Sequence, residues 1–170
     1  MNIQDILFIY EYNYWANKKI LDASADVTAE QLFTPSPFPY GSLHGTLLHI
    51  LDAEWGWRMF FEHDNWSAPD LNAADFPDFA TLQERFAKEE QAMRMYLATL
   101  SDEDMTKHRY YTTNEGDDRD RILWHVLLHV VNHGTQHRSE AAALLTDYGC
   151  SPGDLDFTVF LNEYNETKAK

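Results

Sequence analysis

Apolar residues recur at helical spacing in four long stretches of this chain, with polar breaks between them. Over 3–22, Ile3, Ile6, Leu7, Tyr10, Tyr14, Trp15, Ile20 and Leu21 form a stripe of 3.6-residue period, which predicts a first helix. Thr28 to Phe33 predicts one short turn. The following TPSPFPYG, 34–41, is a loop, because prolines at alternate positions forbid a helix. Ser42 is placed to cap a second helix over 43–63, with Leu43, Leu47, Ile50, Trp57 and Phe61 on one face and a carboxylate, Glu54, in its middle. The polar run 64–78 reads as a surface connection. Asp78 caps a third helix over 79–99, whose apolar set includes Phe79, Leu82, Phe86, Met93, Tyr96 and Leu97. Residues 101–119 are the least helical part of the chain, with a short extended segment at 108–113 and a turn at 114–117. Asp117, Asp118 and Asp120 suit the start of a fourth helix over 119–147 by capping and by the helix dipole, and Gly149 stops it. Ser151-Pro152-Gly153-Asp154 predicts the cap and first turn of a short last helix over 152–165. The expected architecture is all-α and a single domain over 1–170: a four-helix bundle, up-and-down or crossover, with an additional short C-terminal helix.

Composition narrows the partners. The chain carries 28 acidic and 13 basic residues, a formal charge of −15. Such a surface repels phosphate backbones and anionic lipid, so neither nucleic acid nor membrane is an expected partner. A single cysteine, Cys150, excludes an internal disulfide framework and fits a reducing compartment. The N-terminal stretch has acidic residues where a signal peptide needs basic ones, and no apolar run reaches the roughly 20 residues of a membrane span. The expected location is cytoplasmic.

The chemistry concentrates in Trp124 to Glu140, WHVLLHVVNHGTQHRSE, where His125, His129, His133 and His137 stand four residues apart. Neighbours at that spacing share a helix face. A buried imidazole without a partner costs roughly 1–3 kcal/mol, and a metal ion is a partner that several can share. On a helical wheel, Ile122, Val126, His129, His133, Gln136, His137, Glu140 and Leu144 fall within about 100°, so an apolar stripe is interrupted by polar residues, which is where a bundle builds a site. His125 and His137 lie about 18 Å apart along the axis, so one ion cannot take all four. The pairs His125/His129, His129/His133 and His133/His137 remain. The surroundings favour the last, because Asn132, Gln136 and Glu140 can hydrogen-bond the outer ring nitrogens. His49, well inside the second helix, is the natural third ligand, and His129 is the first alternative. Three neutral imidazoles suit a divalent ion such as Zn, Ni, Fe, Co or Mn and leave coordination positions open, as in catalytic sites. Glu140, Gln136 and Glu54 are the candidate catalytic helpers, and Arg138 is placed to hold an anionic substrate. Against this stand plainer readings: His125 and His129 as packed core residues, Glu54 paired with Arg58 or at a wet seam, the tryptophans as core, and His44, His63 and His108 as surface residues. A haem-binding bundle is a weaker reading still, since no C-x-x-C-H is present.

The run HVVNHGTQHRSEAAALL, 129–145, resembles the DinB family of metal-dependent four-helix bundles. The family's fourth helix typically carries N-H-x-x-x-H-R, and Asn132-His133-Gly134-Thr135-Gln136-His137-Arg138 matches it. YNYWANKKIL at 12–21, LLHILDAEWGW at 47–57 and TDYGCSPGDLDF at 146–157 resemble the family's opening, first-ligand segment and close. Ser139-Glu140 stands where Gly-Gln is common. The resemblance implies a homodimeric bundle holding one divalent metal by His49, His133 and His137. It also implies an activity like that of thiol-dependent S-transferases or a related isomerase or hydrolase, acting on a small-molecule substrate with a low-molecular-weight thiol as cosubstrate. The alternative expectation is a non-catalytic metal-binding stress-response or scaffold protein.

Overall fold

The computed structural model describes residues 1–63, 71–113 and 116–168. Among these residues the chain is mainly helical: α1 (Ile3–Ser24), α2 (Ala29–Phe33), α3 (Leu43–His63), α4 (Phe79–Leu97), α5 (Asp102–Met105), α6 (Leu123–Asp147) and α7 (Phe157–Lys168), with strands β1 (His108–Thr112) and β2 (Asp118–Ile122) ahead of α6. No helix among them is long and apolar enough to cross a membrane.

The caps follow the sequence closely in the first half. Asn2 and Asp5 close a capping box on α1, Thr28 and Gln31 do the same for α2, and Asp78 accepts from the Thr81 N–H at the start of α4. The Ser42 hydroxyl accepts from the Gly45 N–H at 3.0 Å, so α3 begins where its serine predicts. Gly149, at φ +81°, ends α6. The expected connection over 64–78 and the turn over 114–117 fall partly outside the described residues.

Two expectations are corrected. The fourth helix starts at Leu123, not near 119, and the aspartates before it do not cap it. Residues 118–122 instead pair antiparallel with 108–112, in the register His108↔Ile122. Asp120 accepts from the His108 ring (2.7 Å) and Asp118 from the Thr112 hydroxyl (2.8 Å). Cross-strand partners outbid the helix dipole because a preceding strand was already there to supply them. The all-α expectation therefore gains a two-stranded hairpin. The last helix starts at Phe157, not 152, because Gly153 takes φ +74°, which breaks helical backbone, and Asp156 caps the helix by accepting from the Thr158 N–H at 2.7 Å.

The four long helices form a square. α6 packs on α1 and α3, and α4 packs on the same two, so α1 and α3 lie on one diagonal. Contacts give the directions. Trp57 and His49 of α3 meet His129 and His133 of α6, so those helices are antiparallel, whereas Arg58 with Glu89 and Phe61 with Tyr96 make α3 and α4 parallel. The bundle is thus of the crossover kind, and the long connection after α3 returns the chain to the same end. It is pinned there: Leu71 N–H donates to Asp52 (2.7 Å), and buried Phe76 accepts from His44 Nε2 (2.7 Å). His44 is therefore a buried structural residue rather than a surface one.

Two apolar clusters fill the bundle. One gathers Ile6, Tyr10, Phe60, Leu97, Leu123 and Leu127, the other Ile20, Leu43, Leu47, Leu51, Leu82 and Leu145. Between them lies a layer of buried polar groups. Arg138 Nη1 donates to Asn13 Oδ1 (2.6 Å) and Asn17 Oδ1 (2.8 Å), and both asparagine amides donate to Glu54 Oε1 (2.7 and 2.9 Å). Arg138 Nη2 reaches the Val131 carbonyl and the Thr135 hydroxyl. The Arg58 pairing expected for Glu54 is absent, since Arg58 is taken by Glu89 and Glu62. Gly134 makes room: a Cβ there would lie 2.6 Å from Arg138 Nη1. Replacing Arg138 by alanine leaves both asparagine oxygens without their donor and the buried Glu54 without its opposite charge. The expected cost is about 3–5 kcal/mol, read as a lower urea midpoint at unchanged m-value.

Candidate metal centre

His133 and His137 stand one turn apart on α6, and α3 runs antiparallel across them so that His49 faces both. His49 Nε2 and His133 Nε2 are 3.0 Å apart, and one ligand nitrogen from each of the three rings lies within 4.8 Å of the others. The ring centroids of His49 are 4.8 Å from His133 and 4.6 Å from His137. Glu140, one turn on, takes the Nδ1 proton of His137 at 2.8 Å. That bond sets the tautomer and leaves the Nε2 lone pair of His137 directed away from Glu140.

The loop before α3 closes one side. Tyr40 stacks on His49 with centroids 3.6 Å apart and planes 14° from parallel, and meets His137 edge-on at 5.2 Å. The stacking depends on how near the loop comes to the helix. A Cβ on Gly45 would lie 2.0 Å from the Tyr40 carbonyl oxygen, so only glycine fits there. Gly41, at φ +74°, completes the turn, with its N–H bonded to the Phe38 carbonyl. Along the groove, Trp57 meets His129 edge-on at 5.5 Å, and a cavity of about 450 Å³ continues from there past Tyr111 and Arg121 of the hairpin.

The site favours neutral imidazole. Burial, together with the neighbouring His137, pushes His49 down to about 4. His133 is likewise pushed down to about 4 by burial and by the charges of His137 and His49. Both rings therefore present lone pairs at neutral pH, the form that binds a metal. Three imidazoles with one outer nitrogen held by a carboxylate are a donor set that fits a divalent ion with positions left open.

The sequence profile of the DinB family matches residues 2–168, nearly the whole chain. The chain belongs to the DinB family. It is also 25% identical over 157 residues to Protein DinB of Bacillus subtilis (strain 168), an alignment covering 90% of this chain and 91% of that protein.

In this DinB chain the residues named from sequence separate into two groups. His49, His133, His137 and Glu140 come together. Gln136 and Asn132 are exposed and make no side-chain hydrogen bond among the described residues, so of the three expected helpers only Glu140 reaches an outer ring nitrogen, Nδ1 of His137. Glu54 is held in the polar layer by the two asparagines, and Arg138, 1% exposed, is part of that layer too and unavailable to hold a substrate. His125 and His129 are exposed rather than core, because the seam they face is the open groove along the hairpin. Tyr40 was missed. Its loop reads as proline-rich filler, and only the pairing of Tyr40-Gly41 with Gly45 hints at a close approach.

Two outcomes are expected. In the metal-free protein, His49 and His133 bind protons more readily unfolded than folded, so stability falls as pH drops from about 6.5 toward 4. Urea midpoints at pH 7 and 5 check this, and His133→Gln flattens the slope. Glu140→Ala frees the His137 ring and weakens affinity for added zinc by about 10–100-fold, measured by competition with a chromophoric chelator.

Proposed function

We propose that His49, His133 and His137 hold one divalent metal ion and that this centre is catalytic, with thiol-dependent S-transfer as the favoured reaction and hydrolysis or isomerisation as its relatives. The observation that carries the reading is the convergence of three imidazoles from two helices, two of them held neutral by burial, beside an open groove. A bound ion of this kind supplies the Lewis acidity that brings a thiol or a water to its anion near neutral pH. The protein's own residues supply the rest. Glu140 fixes the proton of His137 on Nδ1. Tyr40 covers the His49 ring and keeps water from that side. Trp57, Tyr111 and His129 form an aromatic wall on which the body of a small electrophile can lie, and Arg121 stands at its edge for an anionic group.

Zinc and nickel head the candidate ions, followed by iron, cobalt and manganese, on the nitrogen donor set alone. The test has two stages. Wild-type protein, loaded and dialysed, is expected to retain about one divalent ion per chain by elemental analysis, and His133→Ala to retain none. Loaded wild type is then expected to consume a low-molecular-weight thiol in the presence of an alkylating electrophile, and His133→Ala to do so only at the uncatalysed rate. Equal metal content in the two proteins sinks the metal centre. Metal without turnover across a panel of cellular thiols and electrophiles leaves the non-catalytic, metal-binding stress-response or scaffold reading.

A further inference from the structure

Across the bundle from the histidines, a second cavity of about 520 Å³ opens between α1, α4 and α7. Its size is that of a small-molecule site. The walls are aromatic: Trp15, Phe86, Phe160 and Tyr164. Two polar residues of its lining, Tyr14 and Glu54, have hydrogen-bonding capacity to spare. Tyr14 is 6% exposed, yet its hydroxyl has no hydrogen-bond partner. Glu54, 6% exposed, receives both asparagine amides on Oε1, while Oε2 receives no donor among the described residues. A native interior seldom leaves a buried hydroxyl such as that of Tyr14 without a partner unless something else completes it.

The charges say what that something is. The two lining cations are already taken, Lys18 by Asp22 (2.5 Å) and Arg94 by Glu11 (2.5 Å) and Glu90 (2.9 Å). The lining still carries five carboxylates, Glu11, Asp22, Glu54, Glu90 and Glu163, against those two cations, and Glu163 accepts from the Trp15 indole N–H. The ring faces attract cations as well, since the Arg94 guanidinium already lies 4.1 Å from the Tyr14 ring centre. An anionic ligand meets repulsion here, and a neutral one gains nothing from the acidic excess of the lining.

We propose that this cavity binds a small organic ammonium, a primary amine on an apolar body, whose N–H groups donate to Glu54 Oε2 and the Tyr14 hydroxyl oxygen while the body lies against Trp15, Phe86 and Phe160. The site is independent of the histidine centre and needs no metal. It gives Glu54 two roles, one toward Asn13 and Asn17 in the core and one toward a ligand.

Isothermal titration calorimetry of the full chain at pH 7 tests this with three probes of one shape: phenethylammonium, 2-phenylethanol and 3-phenylpropanoate. Phenethylammonium is expected to bind one per chain, the alcohol about tenfold more weakly or worse, and the carboxylate not at all. Tyr14→Phe, which removes one oxygen and touches none of the polar layer, is expected to weaken the amine about tenfold at an unchanged melting temperature. Glu54→Gln should do at least as much, and His133→Ala should leave the amine's Kd unchanged. Equal binding of amine and alcohol, an unaltered Kd in Tyr14→Phe, or no saturation by the amine at millimolar concentration overturns the proposal. The last result, joined to protection of the α1–α4 face from hydrogen exchange in a dimer, would show that a second copy of the chain covers the cavity instead.

Discussion

Two opposite charges buried at the centre of the bundle, Glu54 and Arg138, set the terms for everything around them. Each ion costs several kcal/mol to remove from water. They do not touch; Asn13 and Asn17 stand between, with their oxygens toward the guanidinium and their amides toward the carboxylate. Burial raises the Glu54 carboxyl against the lowering pull of the asparagine bonds and Arg138, and burial lowers the Arg138 guanidinium. The layer takes one residue from α3, one from α6 and two from α1, so it is satisfied only when these helices sit in one axial register. Apolar packing alone tolerates sliding far better than a relay of directional bonds does.

That register is what places the histidines. His49 lies five residues before Glu54 on α3, and His137 lies next to Arg138 on α6. Fixing Glu54 and Arg138 through the same asparagines therefore fixes His49 against His133 and His137, from the inner side of the same two helices. Gly134 belongs to this arrangement as much as the charged residues do, because the guanidinium occupies the space where its side chain would be. The polar layer also separates the two apolar clusters, so the bundle has a rigid waist with hydrophobic cores on either side.

Outside the waist, the site is finished by elements that carry no regular pattern. The loop ending in Tyr40-Gly41 lays a ring over His49, and the hairpin before α6 brings Tyr111 beside Trp57. Both arrive where they do because a helix offers them a fitted surface: the missing Cβ of Gly45 in one case, and the Trp57 and Phe60 rings in the other. Such connecting segments are where a common bundle acquires a particular chemistry.

The helical periods, the capping residues and the interrupted stripe of α6 were enough to reveal a four-helix bundle and to name His133, His137 and, well inside α3, His49 as candidates, because each rests on a residue's place along its own helix. That the three rings converge is decided by how α3 crosses α6. Other features needed the tertiary structure. Glu54 and Arg138 look like a stray carboxylate and a surface cation in sequence, and only the meeting of α1, α3 and α6 shows them sharing two asparagines. Asp118 and Asp120 read as helix caps until the strand before them supplies closer partners, Thr112 six residues before Asp118 and His108 twelve before Asp120. His44, His125 and His129 changed sides for the same reason. A period tells which residues share a face, but what covers that face is decided by another part of the chain.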